Sequence, residues 1–145
     1  MKWITRKNVK VDRVACPWLI RRFVDPEAEF LFVDEEKLLE TAHAEQAIPF
    51  DAPRILEVKL NHRGDMCSFE AIIADYNLQD PGLARLALIV RAADVKGQEA
   101  IAPEGLGLRA IAEGFATMRL PDEERLARGF PIYDALYEYA LGSKN

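Results

Sequence analysis

The eight prolines of this 145-residue chain partition it more firmly than any other residue type. Proline fixes φ and has no amide proton to give to a helix or a sheet, so each one marks a start or a break. Pro17 suits a first helical turn, which predicts a helix beginning near Cys16 and carrying Trp18, Leu19, Arg22 and Phe23. That helix should end before Asp25-Pro26, because a residue preceding proline resists helical geometry. Asp80-Pro81 reads as a cap followed by proline at the first helical position, with Leu83, Leu86, Ala87 and Val90 as its apolar stripe. Pro103-Glu104 opens a further helix with Leu108, Ile111, Phe115 and Met118 inward. Pro121 and Pro131 are each expected to start a late helix, the last one carrying Tyr133, Leu136, Tyr137 and Ala140.

Strands are expected early in the chain. Residues 2–6 alternate around Trp3 and Ile4, and Glu29–Val33 is a dense apolar run suited to a buried strand. Asp34 can cap a following helix, with Glu35 and Glu36 in its first turn. Ile48–Pro53 reads as a proline-punctuated loop, Ile55–Leu60 as a strand and Asn61–Asp65 as a turn. Phe69, Ile72, Ile73 and Tyr76 share a helical face. The expected fold is α+β, a single domain over 1–145 with a small N-terminal β-sheet packed against a mostly helical C-terminal half.

The net charge of −5 argues against nucleic-acid or acidic-membrane binding. No signal-peptide core and no apolar run of membrane-spanning length occur, so a cytoplasmic location is expected. The two cysteines should then be free thiols or ligands.

Chemistry concentrates in two segments, Asp12–Phe23 and His62–Phe69. A thiol at a helix start would meet unpaired amides and the positive end of the helix dipole, so Cys16 is expected to have a lowered pKa. Arg13, Arg21 and Arg22 could hold a tetrahedral oxyanion, since guanidinium forks match such oxygens bidentately. Gly64 allows a turn that brings His62 back toward Cys67, with Asp65 between them, a donor set suited to zinc or iron. His43 lies among glutamates and is set aside.

These residues carry a family resemblance. Lys2–Arg6, Asp12–Phe23, Ala28–Val33, His62–Phe69, Ile89–Asp94, Pro103-Glu104 and Tyr133–Tyr137 are similar, in order, to the C-terminal domain of the chromate-resistance (ChrB-type) proteins. The resemblance implies a role in bacterial chromate resistance, a stress response. In longer members another domain precedes this one, and regulation of a chromate-efflux operon is attributed to the whole protein. Taken alone, this sequence is expected to be the core domain without that preceding one, and direct DNA binding is therefore not expected of it. The resemblance marks Arg13, Cys16, Trp18, Arg21, Arg22, His62, Asp65 and Cys67 as the shared site, with Asp94 and Glu104 as outer candidates.

Two functions follow as expectations. The first is a metal- or oxyanion-responsive domain in which Cys16, His62, Asp65 and Cys67 bind a transition metal, zinc or iron, beside Arg13, Arg21 and Arg22. The second is a thiol-dependent redox or sulfur-transfer enzyme, with Cys16 as nucleophile, Cys67 as resolving thiol and His62 as proton carrier. The expected partner is a small anion or metal ion, and homo-oligomerisation is compatible with the sequence.

Overall fold

Trp3, Ile4 and Thr5 are almost completely buried, and the strand that carries them, β1 (Lys2–Arg6), is the centre of the sheet. The computed structural model describes residues 1–142. β2 (Glu29–Val33) lies along one side of β1, from Lys2 opposite Glu29 to Arg6 opposite Val33. The two-residue β3 (Ile48–Pro49) lies along the other side, and both pairings are parallel. Parallel neighbours require crossovers, which α1 (Asp12–Leu19) and α2 (Leu38–Glu45) supply. Then follow α3 (Ser68–Asp75), α4 (Pro81–Asp94), α5 (Glu104–Thr117) and α6 (Asp122–Gly142). The architecture is α+β, a three-stranded sheet near the N-terminus followed by helices, as the sequence predicts.

The main core forms where α1 meets α3, α4 and α6. Trp18 stands at its middle, its ring 5.7–6.4 Å from those of Phe23, Phe69, Tyr133 and Tyr137. The α4 stripe is as expected: Leu83, Leu86, Ala87 and Val90 are buried, and Asp80 caps the helix by accepting from the Leu83 amide at 3.0 Å.

Five expectations need correction. First, α1 begins at Asp12, so Pro17 is interior and Cys16 sits in the second turn instead of at the helix start. Proline cannot donate to the carbonyl four residues back, yet α1 continues through Pro17 to Leu19, and a π-helical turn over Ile20–Val24 follows it, closed by the Asp25 amide on the Ile20 carbonyl at 2.7 Å. Second, α6 runs unbroken through Pro131. Pro131 and Ala127, whose carbonyl it leaves without a donor, both face solvent, where water can take the donor's place. Third, Ile55–Leu60 is a set of turns and β3 comes instead from the stretch read as a loop. The buried Asn61 side chain imposes this: it accepts from the Ala52 amide at 2.7 Å and donates to the carbonyls of Ala52, Ile55 and Val58. Fourth, α5 buries Leu108 but leaves Ile111 41% exposed, and Met118 just past its end 55% exposed, because none of the described residues covers its outer face. Fifth, Asp34, expected as a cap, pairs with Lys7 instead. Among the described residues no helix is long and apolar enough to cross a membrane.

α4 and α5 meet at Gly105, where a Cβ would come within 2.5 Å of Ala92 Cβ and 2.9 Å of the Ala92 carbonyl carbon. Gly105→Ala should therefore destabilise by about 1–3 kcal/mol through overpacking. Gly114→Ala, on the same helix with open space at its Cβ, should raise stability by up to about 1 kcal/mol. Thermal unfolding of the two variants reads the difference.

Candidate metal centre

Four segments converge on one imidazole nitrogen. Asp12 opens α1, Asp51 follows β3, His62 follows the Asn61-clasped loop and Asp94 ends α4. His62 Nε2 lies 3.1 Å from Asp94 Oδ2 and 3.5 Å from both Asp12 Oδ2 and Asp51 Oδ1.

Each carboxylate is fixed by its own partners. Asp12, 1% exposed, accepts from the Ser68 amide at 2.7 Å and the Phe69 amide at 3.1 Å, and so caps α3 from across the core. Asp51 accepts from Ser68 Oγ at 2.7 Å and lies 3.4 Å from Arg13 Nε. Its φ of +48° is in the left-handed region, a conformation disfavoured for a residue with a Cβ. The backbone is held there by its amide on the Leu60 carbonyl and by Thr5 Oγ1 and Arg6 Nε on its own carbonyl.

Charge follows from this packing. Burial, then the neighbouring charges of Asp94 and Asp51, push the Asp12 carboxyl up to about 7 against the pull of His62. Hydrogen bonding to Asp12, Asp51 and Asp94 pushes His62 up to about 12, although half-burial opposes it. Burial works against ionising Asp51, yet His62, Ser68 and Arg13 together bring its carboxyl below the usual range. Burial lowers Arg13, which remains a guanidinium and also donates to the carbonyls of Arg6 and Lys7.

The ligand atoms of Asp12, His62 and Asp94 all lie within 4.8 Å of one another, a spread that a small inward movement closes onto one ion. Two carboxylates and one imidazole suit zinc, iron or manganese.

The residues singled out from sequence fall differently. His62 is in this group, and Asp94 moves from an outer candidate to a ligand candidate. Cys16 and Cys67 are buried just behind the carboxylates: Cys16 Sγ donates to Asp12 Oδ1 at 3.3 Å, and Cys67 Sγ to Glu70 Oε1 at 3.4 Å. Burial first, then the charge of Asp12, pushes both thiols upward, the reverse of the expected lowering at Cys16. A protonated thiol is neither a good nucleophile nor a ligand. Asp65 is exposed in the Arg63–Met66 turn and does not join the ligand group. Of the arginines, only Arg13 reaches the site. Arg21 donates to the Ala28 carbonyl and lies over Phe30 and Phe130, while Arg22 holds Asp134 with both forks. Asp134 also accepts from Trp18 Nε1, which seats the tryptophan in the core. Glu104 opens α5 and accepts from the Tyr139 hydroxyl.

Asp12 and Asp51 are the site residues that sequence reasoning missed. Asp12 adjoins Arg13 in the most distinctive segment, and Asp51 sits between Pro49 and Pro53, but neither position alone signals a ligand. The burial of both thiols gives a direct expectation. In the folded protein a disulfide reagent should modify neither cysteine on a timescale of minutes, and both should react at once in denaturant, as followed by thiolate release.

Residues 3–140 match the family model described as ChrB, C-terminal domain. The curated Protein ChrB of Cupriavidus metallidurans (strain CH34) is 38% identical over 141 residues, which is 95% of this chain and 40% of that protein. The chain thus spans well under half the length of that relative. No solved structure gives a significant match. The chain belongs to the ChrB C-terminal-domain family, and the whole Asp12–Asp51–His62–Asp94 constellation lies inside the matched segment.

Proposed function

We propose that this domain binds a divalent transition metal, zinc or iron, through Asp12, His62 and Asp94, and that metal or oxyanion binding is how it contributes to the chromate resistance its family is associated with. One observation carries the reading: three carboxylates from separate segments crowd around a single imidazole nitrogen in mostly buried surroundings. Like charges so placed repel each other, and a dication resting among them relieves that repulsion better than one imidazolium proton does.

Asp51 stands beside the proposed ligands and would orient them through Ser68 and Arg13. Three protein ligands leave coordination positions open, and an oxyanion entering there would meet Arg13. The anion-binding part of the proposal rests on Arg13 alone, since Arg21 and Arg22 are committed to other partners. The thiol-dependent enzyme reading draws no support from two buried, protonated cysteines. A reducing cytoplasm fits those free thiols, and the net charge of −5 disfavours nucleic acid as a partner.

Elemental analysis of protein purified without an affinity tag tests the metal. About one zinc or iron per chain is expected. His62→Gln and Asp94→Asn should each weaken binding by more than about 100-fold, the upper range for lesser disturbances of metal sites. Cys16→Ser should leave the stoichiometry unchanged. Metal-free parent protein that takes up no zinc or iron, or ligand variants that bind as the parent does, would reject the proposal.

The metal-free protein should also show a characteristic pH dependence. The folded state holds a proton on Asp12 up to about 7, above the unfolded value of 3.8, so Asp12 favours folding at low pH and loses that contribution as pH rises through 7. His62 adds stability fully present below its unfolded value of 6.5 and lost only as pH rises toward about 12. The thermal midpoint of metal-free protein should therefore fall from pH 5 to pH 8. The increase in midpoint on adding zinc should grow over the same interval, because the metal needs deprotonated ligands.

A further inference from the structure

Arg85 projects from α4 nine residues before Asp94, roughly 13 Å along the helix from the metal centre. Its Nη1 is buried and has no hydrogen-bond acceptor, the one such side-chain atom among the described residues. Buried donors are nearly always paired, so this nitrogen calls for an acceptor from outside the chain, a water or a ligand.

The surroundings say what kind of acceptor. Arg85 lines a cleft of about 160 Å³, open to solvent, between α4, the approach to α5 and the end of α6. Leu88 and Ile101 flank it, 41% and 40% exposed, and Pro103 and Tyr139 complete its walls. α5, fourteen residues long, starts at this cleft with no side-chain cap on its first amides, so the positive end of its dipole faces the same space. The carboxylate of Glu104 also lines the cleft, but it is taken up by the Tyr139 hydroxyl at 2.7 Å and makes no ion pair with Arg85 among the described residues.

We propose that this cleft is a binding site for a small carboxylate carrying a short aliphatic body. The carboxylate pairs with the Arg85 guanidinium, whose planar fork matches it bidentately, and the hydrocarbon lies against Leu88 and Ile101. A volume of about 160 Å³ is below that of drug-sized sites and restricts the ligand to a small body. Glu104 gives the site a second feature to read, because a ligand with an ammonium group beside its carboxylate can reach both charges. This site is independent of the metal centre.

Two ligands with one carbon skeleton test the proposal: 4-methylpentanoate, and leucine, which adds the α-ammonium. Each is titrated into the full chain by calorimetry, with amide chemical shifts followed in parallel. At least one should bind with a Kd in the millimolar range or tighter and shift amides at Arg85, Leu88 and Ile101. Preference for leucine assigns the ammonium to Glu104, and preference for 4-methylpentanoate assigns recognition to Arg85 alone; either supports the site. Arg85→Met should weaken binding at least tenfold, Arg85→Lys less, and Asp94→Asn not at all. The uncharged 4-methylpentanamide keeps the test valid if Arg85→Met does not fold, since it should bind at least tenfold more weakly than the acid. Binding of neither ligand at ten millimolar, equal binding by Arg85→Met, or equal binding of the amide overturns the proposal.

Discussion

The Asp12 carboxylate, clamped between the first two amides of α3, is the contact on which the site depends. It joins the start of one helix to the start of another through fully buried hydrogen bonds. Because both oxygens are already engaged, the side chain has no freedom to rotate, and it meets His62 at an imposed angle. Burying a carboxylate is costly unless it is hydrogen-bonded, and the α3 amides with their dipole meet that need. The cost that remains shows in the raised pKa, which is where a cation would gain most.

Around this contact the chain separates rigid support from chemistry. Glu70 reaches back to the Cys67 amide at 3.0 Å and is held in turn by Arg91 from α4, so α3 and α4 keep a fixed relation near the site. Gly105 lets α5 close on Ala92 and Ala93, which sets the end of α4 and with it Asp94. The cysteines belong to the support: they fill the space behind the carboxylates and stay protonated there. Their sequence context, a thiol before a proline with arginines on both sides, suggests reactivity only if the helix begins at the thiol.

That condition shows how far the sequence was readable. Elements defined by local pattern were legible: the Trp3-Ile4 strand, the Glu29–Val33 run and the Asp80-capped α4. So was His62, because an imidazole at a glycine turn is rare in this chain. Pro17 and Pro131 misled, since both sit inside helices that run on through them, Pro131 with the carbonyl it orphans facing solvent. Asp12 and Asp51 were not legible because their meaning arises across distance: Ser68, which donates to both, is 56 residues from one and 17 from the other. No periodicity or spacing rule encodes such a pairing. The family resemblance located the segments but did not say which side chains within them face one another.

Asn61 ties both ends of its loop to each other through one amide group, while Leu56 at the outer bend is 91% exposed. The outer bend therefore contributes almost nothing to keeping Asp51 and His62 together. A protease that cuts the backbone at Leu56 would leave a two-fragment complex still held through the sheet, the core and the clasp. The intervening peptide is, in that sense, a place where evolution or an experimenter can splice in new sequence while the carboxylates and the imidazole keep their positions.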